Sequence, residues 1–264
     1  MGHSTTQKVT AATLLVALGI IYGDIGTSPL YVMEAIVRKR VISELLVYGG
    51  ISCVFWTLTF QTTFKYIILT LNADNHGEGG VFSLYALVKR FGKGRLVIPT
   101  ILGAATLLAD GIITPPISVA SAVEGLEDIF PNIPTIPIVI AILSGIFLFQ
   151  RFGTQKVGFF FGPAMVIWFS MLFILGFSQI ISHPEILKCL NPMYAYRLLV
   201  EYPNGFWLLG AVFLCTTGAE ALYSDLGHCG KNNIRITWIF VKICLVVNYL
   251  GQGAWLMSEQ NNFL

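Results

Sequence analysis

The 264-residue sequence contains few charged residues, and this scarcity defines the class of protein. Asp, Glu, Lys and Arg make up 11% of the chain, less than half of the roughly 25% that is typical of soluble globular domains. Mean hydropathy is +0.73. The formal net charge of +2 is too small, and the basic residues are too scattered, to indicate a nucleic-acid partner. The composition therefore predicts an all-α integral membrane protein.

Motifs for enzymatic, redox or metal chemistry are also absent from the sequence. The five cysteines form no CxxC pair, the four histidines form no HExxH motif, and there is no Walker A motif. The acids in residues 73–80 lack the remaining ligands of an EF-hand loop. We therefore predict a protein that is not an enzyme and needs no cofactor.

Apolar stretches of about 20 residues predict membrane spans. There are seven such stretches, at 11–37, 45–71, 97–123, 135–150, 157–181, 205–224 and 235–257. Residues 72–95 predict a Gly-rich turn followed by an amphipathic helix at the membrane surface. The distribution of Lys and Arg favours a cytoplasmic N-terminus. The tryptophans mostly indicate interfacial belts and lipid-facing surface, and they are Trp56, Trp168, Trp207, Trp238 and Trp255.

The first predicted span is interrupted by the polar sequence GDIGTSP at residues 23–29. Within a bilayer, such backbone survives where it is buried in protein or lines a cavity, and an intramembrane acid such as Asp24 indicates a functional site. Tyr31 follows seven residues later and shares the face of Asp24 if the helix resumes directly. The alternative is that Asp24 and Thr27 only cap the half-helix that begins near Pro29.

The third predicted span combines an acid with two hydroxyl side chains. Asp110, Thr114 and Ser118 follow i, i+4, i+8 spacing, which places them on one helical face. Pro115 and Pro116 remove two N–H donors, so backbone carbonyl oxygens become available as further ligands. The alternative is that the two hydroxyls only satisfy this loosened backbone.

The sixth predicted span carries Thr217, Glu220 and Ser224 at i, i+3, i+7, again one helical face, and Gly218 offers a place to unwind. Spans one, three and six thus each supply oxygen ligands without a cationic partner. Such ligands favour a hard cation over an anionic substrate. The two interrupted spans, one and six, lie five spans apart, as expected for a transporter built from inverted repeats.

These motifs resemble the successive signatures of the KUP (KUP/HAK/KT) potassium-uptake transporters. The matching segments are YGDIGTSPLY at 22–31, ADNHGEGG at 73–80, ITPPIS at 113–118, TGAEALY at 217–223 and NYLGQG at 248–253. The resemblance implies proton-coupled K⁺ import in a LeuT-like (APC-type) inverted-repeat fold. By motif position, it implies a site for K⁺ coordination and proton coupling that consists of Asp24, Tyr31, Asp110, Thr114, Ser118, Thr217 and Glu220.

Members of the KUP family are much longer. We therefore expect residues 1–264 to form a single transmembrane domain without most of the second repeat and without the soluble C-terminal region. The expected partners are K⁺, protons, the lipid bilayer of the bacterial cytoplasmic (inner) membrane and a second copy in a homodimer. The alternatives are an amino-acid or other small-solute transporter of the same fold, or a non-transporting truncated membrane protein. A channel would need a filter such as TVGYG, which the sequence does not contain.

Overall fold

The computed structural model describes residues 8–38, 40–92, 95–126, 130, 133–150 and 154–262, and the regular elements within these ranges are all helical. The α-helices are α1 (Ala11–Ile21), α2 (Gly23–Thr27), α3 (Val32–Val37), α4 (Glu44–Thr57), α5 (Gly80–Gly92), α6 (Val97–Glu124), α7 (Thr135–Gln150), α8 (Thr154–Ser182), α9 (Pro192–Glu201), α10 (Leu209–Phe213), α11 (Ala221–Ser224), α12 (Leu226–Cys229) and α13 (Lys231–Asn262). The predicted all-α class is confirmed for this part of the chain.

Five helical segments in the described residues are long and apolar enough to cross a membrane. They are Glu44–Asn72, Val97–Glu124, Phe160–Ser182, Gly205–Ser224 and Lys231–Glu259. A sixth results if α1 and Gly23–Leu30, which are bent by 69°, count as one broken span. The apolar helix α7 has 16 residues. The count of seven spans stays a prediction, and Lys93 and Gly94 of the predicted loop lie outside the described residues.

The first span breaks where its sequence disfavours a helix. The Thr10 hydroxyl accepts a hydrogen bond from the Thr13 N–H and caps the start of α1. Gly23 and Gly26 have low helix propensity, and Pro29 lacks an N–H donor. The chain accordingly forms the short helix α2 and a 3₁₀ turn at Ser28–Leu30 before α3 begins. The break puts polar backbone in the middle of the helical bundle.

Helices α8 and α13 pack closely against each other. A Cβ atom added to Gly251 would overlap Gly176 of α8, so the two helices approach backbone to backbone. This approach lets Asn248 Nδ2 donate to the Leu172 carbonyl oxygen at 3.0 Å. Helix α1 packs against both of them, α4 packs against α13, and α9 packs against α4. The result is a rigid support behind the broken first span.

The segment Gly205–Ser224, which is the sixth predicted span, is also interrupted, whereas helix α6 is continuous. A 3₁₀ turn at Leu214–Thr216 follows α10, and the backbone then leaves helical geometry at Thr217, with ψ of 132°. Gly218 has φ of 82°, a conformation that side chains disfavour, before α11 resumes. Helix α6 instead continues through Pro115 and Pro116 at the edge of the bundle. In the most apolar 18-residue window of α6 no residue is buried, whereas 61% of the corresponding window in Glu44–Asn72 is buried.

Candidate ion site

Three carboxylates from three separate elements converge where the two helix breaks meet α6. One oxygen each from Asp24 in the first break, Asp110 in α6 and Glu220 at the second break lie within 4.8 Å of one another. All three residues are half-buried. No other group of three or more His, Cys, Asp or Glu residues in the described ranges is placed to share an ion. The acids that the sequence places in spans one, three and six thus form a single cluster in the structure.

The Asp24 side chain has no capping role in this structure. The Asp24 Oδ1 atom is buried and accepts no hydrogen bond from the described residues. Neither α2 nor the following 3₁₀ turn has a side-chain cap. A buried carboxylate oxygen without a donor is costly unless a cation or a proton is nearby. Asp24 is therefore better suited to bind a cation than to cap a helix.

The hydroxyl groups of α6 contact the site and not the loosened backbone. Thr114 Oγ1 donates to Asp110 Oδ1 at 2.8 Å. Ser118 Oγ and Thr27 Oγ1 share a hydrogen bond of 3.0 Å, which links α6 to the first break. The alternative that Thr114 and Ser118 only satisfy carbonyl groups freed by the prolines is wrong. Thr27 is a contact that the sequence analysis missed, because its partner lies 91 positions away.

Side chains from the supporting helices hold the backbone of the first break. Trp168 Nε1 donates to the Gly26 carbonyl oxygen at 2.8 Å, and Gln252 Nε2 donates to that of Pro29 at 3.0 Å. The Thr27 hydroxyl donates to the Asp24 carbonyl oxygen at 2.8 Å. These donors satisfy the carbonyl groups that the break would otherwise leave unpaired. These carbonyl oxygens are therefore already hydrogen-bonded, which leaves side-chain oxygens as the better candidates for cation ligands at this break.

Trp168 and Trp238 are exceptions to the interpretation of the tryptophans as belt or lipid-facing residues, whereas Trp207 and Trp255 are exposed. Trp168 is half-buried against the first break, and the Trp238 side chain is 2% exposed. Trp238 Nε1 donates to Thr63 Oγ1 at 3.0 Å. A tryptophan in an apolar helix looks the same in sequence whether it faces lipid or a neighbouring helix. In the sequence, Gln252 is a clearer indication of a buried contact, because an amide inside an apolar helix needs a hydrogen-bond partner.

Two clefts reach the carboxylate cluster from different directions. We call them the Glu34 cleft, of about 460 Å³, and the Lys65 cleft, of about 600 Å³. Asp110 lines both of them. The Glu34 cleft lies between α3 and α6, and the Lys65 cleft lies between residues 65–70, α5, α6 and α11. Glu220 lines only the Lys65 cleft and Asp24 lines neither, so Asp110 is the member of the cluster that both clefts reach.

The structure places the remaining predicted residues on different sides of the cluster. Tyr31 and Thr217 line the Glu34 cleft together with Thr114, whereas Glu220 lines the Lys65 cleft. Tyr31 OH lies 3.3 Å from Ser28 Oγ. The prediction of one helical face for Thr217 and Glu220 is wrong, because the helix unwinds between them at Gly218. Ser118 lines neither cleft and reaches the site only through Thr27.

Comparison with known proteins identifies the family of the chain. Residues 11–264 match the family model described as the K⁺ potassium transporter integral membrane domain. The chain belongs to this family. The chain is similar to the probable potassium transport system proteins Kup of Cytophaga hutchinsonii and Flavobacterium psychrophilum, with 64% and 61% identity over 98% and 99% of its length. The corresponding Kup protein of Enterococcus faecalis is 52% identical over 97% of the chain.

The family members named above are longer than this chain. The chain spans 40% of the length of each of these three relatives. No solved structure matches the chain. The LeuT-like arrangement therefore remains a prediction, while the membership of an integral membrane K⁺ transporter family is established.

Proposed function

We propose that the chain carries the ion site of a proton-coupled potassium-uptake transporter in the bacterial cytoplasmic membrane, with a cytoplasmic N-terminus and a partial LeuT-like fold. The observation that carries this proposal is the cluster of Asp24, Asp110 and Glu220 between two clefts. Membership of the K⁺ transporter family supports the choice of cation. The three longer relatives named above are described as probable potassium transport proteins.

The chemistry of the cluster favours a cation together with a proton. Carboxylate oxygens are hard ligands that replace the water around an alkali cation. Three negative charges within 4.8 Å exceed the charge of one K⁺. A proton on one carboxylate reduces the remaining repulsion, and this is the physical basis for coupling K⁺ and H⁺ in one transport step.

The two clefts supply the routes to and from the site. With the predicted orientation, the Glu34 cleft faces outward and the Lys65 cleft, beside residues 72–95, faces the cytoplasm. K⁺ loses its water at the cluster, and rocking of the broken helices against α8 and α13 alternates access between the clefts. The residues named in this mechanism all belong to one chain, and the homodimer stays a prediction.

Two alternative functions predict different experimental results. An amino-acid transporter would bring a substrate carboxylate against three protein carboxylates, which the electrostatics of the site disfavour. A non-transporting product is a second candidate, because the chain spans 40% of its relatives' length. Growth of a K⁺-uptake-deficient bacterium at low K⁺, with residues 1–264 as the added gene product, distinguishes a competent transporter from a chain that only inserts.

The ion site is tested by equilibrium binding of radiolabelled Rb⁺, a K⁺ substitute, to the purified chain in lipid nanodiscs. We expect saturable binding that K⁺ displaces and Asp24→Asn weakens by about tenfold to a hundredfold, since an amide keeps the shape but loses the charge. The matched control is Glu201→Gln, which removes one exposed acid at the end of α9. Equal affinity of wild type and Asp24→Asn would refute the site.

A further inference from the structure

The turn at residues 73–80, with the sequence ADNHGEGG, has a fixed shape. Asn75 and Glu78 exchange two backbone hydrogen bonds of 2.9 and 3.1 Å. His76, Gly77 and Gly80 have positive φ angles of 56°, 87° and 89°. The Gly77 N–H donates to Asp74 Oδ2 at 3.0 Å. The turn is therefore folded back on itself and can act as a rigid body.

This turn fits closely against the chain segment that follows Glu220. The Tyr223 hydroxyl donates to the Ala73 carbonyl oxygen at 2.5 Å. A Cβ atom on Gly79 would overlap the Tyr223 carbonyl oxygen, and a Cβ atom on Gly227 would overlap the Glu78 carboxylate. At Gly79 the obstacle is backbone, so there is no room for a side chain, whereas at Gly227 the obstacle is the end of the Glu78 side chain, which would have to move.

The residue before the turn adds a third attachment. Asn72 Oδ1 accepts hydrogen bonds from Lys231 Nζ and from Arg235 Nη2, the latter at 3.3 Å. Both donors lie in the first two turns of α13. Residues 72–80, which we call the clamp, therefore hold the chain from Tyr223 to Arg235 at three points.

The held segment is continuous with the ion site. The Glu220 carbonyl oxygen accepts hydrogen bonds from the N–H groups of Tyr223 at 3.0 Å and Ser224 at 2.9 Å. Glu220 and Tyr223 thus belong to one turn of backbone and move together. Gly80 of the clamp and Tyr223 also line the Lys65 cleft beside Glu220. A displacement of Tyr223 changes where the Glu220 carboxylate lies.

We propose that the clamp is a positioning device for the ion site: by holding Tyr223 it keeps the Glu220 carboxylate within reach of Asp24 and Asp110. The inference rests on the proposed function, because it takes Glu220 to be an ion ligand. Tyr223, Gly79 and Glu78 act through Glu220 and do not touch the ion. The clamp gives the ADNHGEGG motif a role in setting ion affinity from outside the membrane span.

The test uses the same Rb⁺ binding assay on the purified chain, with full saturation curves. Tyr223→Phe removes one hydrogen bond, so we expect affinity to fall roughly twofold to tenfold. Gly79→Ala forces the clamp and Tyr223 apart, and we expect a larger loss. The number of binding sites stays unchanged in both variants, since the competent arrangement is only less populated. Gly210→Ala, at a glycine in α10 with open space around its Cβ position, is the matched control.

The outcomes separate this proposal from the proposed function. If Asp24→Asn loses binding while Tyr223→Phe and Gly79→Ala both bind as wild type does, the clamp is refuted and the ion site stands. Fewer sites at unchanged affinity would also refute the clamp, because that result shows a role in folding alone. If the wild-type chain binds no Rb⁺, or binds it regardless of Asp24→Asn, both proposals fail.

Discussion

Gly218 of the second break faces Asp24 of the first break at a distance that leaves no room for a side chain. A Cβ atom on Gly218 would lie 2.6 Å from the Asp24 Cβ atom and 2.9 Å from its Oδ2 atom. Gly218 also has φ of 82°, so glycine is required for conformation as well as for space. The two breaks are therefore fitted to each other at one glycine.

We expect Gly218→Ala to weaken Rb⁺ binding and to destabilise the chain. The left-handed backbone alone costs an alanine about 1–2 kcal/mol, and the methyl group pushes the Asp24 carboxylate away from the cluster. Saturation binding and thermal unfolding of the purified variant measure both effects. Gly210→Ala, at an open helical position, should match wild type. Unaltered binding by Gly218→Ala would show that Asp24 can move without loss of the site.

A second prediction concerns coupling through Asp110 and Glu220. If protons and K⁺ share the cluster, the Rb⁺ affinity of the wild-type chain rises with pH as a proton leaves. The amide variant of the proton-carrying residue, either Asp110→Asn or Glu220→Gln, should flatten this dependence because a neutral amide mimics the protonated acid. Rb⁺ binding curves measured between pH 5 and 8 provide the comparison. Wild-type pH dependence in both variants would exclude these two acids as the proton site.

The sequence anticipated the chemistry of the site better than its geometry. Asp24, Asp110 and Glu220 were identifiable because acids inside apolar helices are rare and costly. Their oxygen atoms do meet within 4.8 Å. Helical spacing failed for Thr217 and Glu220 because an i, i+3 relationship holds only in a continuous helix. The donors Trp168 and Gln252 depend on which helices pack together, and one sequence contains no such pairing.

The third prediction concerns Asp225, which lies between the sixth span and α12. Burial raises the pKa of Asp225 above its usual value, although His228, with Nδ1 at 3.9 Å from Asp225 Oδ1, acts in the opposite direction. A raised folded-state pKa means that the folded chain binds more protons than the unfolded chain does. Stability therefore falls as pH rises from the ordinary value of about 3.9 through the raised pKa.

We expect Asp225→Asn to raise the thermal midpoint of the purified chain at neutral pH and to leave it nearly unchanged at pH 4. The amide cannot ionise, so it avoids the cost of a buried charge only where the acid would be charged. Glu201→Gln, at an exposed site, controls for the change in net charge. A midpoint shift of the same size at both pH values would assign the effect to packing and not to ionisation.

The presence of Asp110 in both clefts has an electrical consequence for the proposed transport cycle. If the two clefts open to opposite sides of the membrane, as proposed, water in each cleft carries the potential of its own side inward, and the membrane voltage falls mainly across the protein beside Asp110. Moving one elementary charge through a full 100 mV is worth about 2.3 kcal/mol. An ion held at Asp110 stays in place while the barrier beside it changes sides. The membrane voltage then acts on the conformational change that moves the barrier, and on the charged carboxylates that move with it. It does not act on a long displacement of K⁺ through the protein.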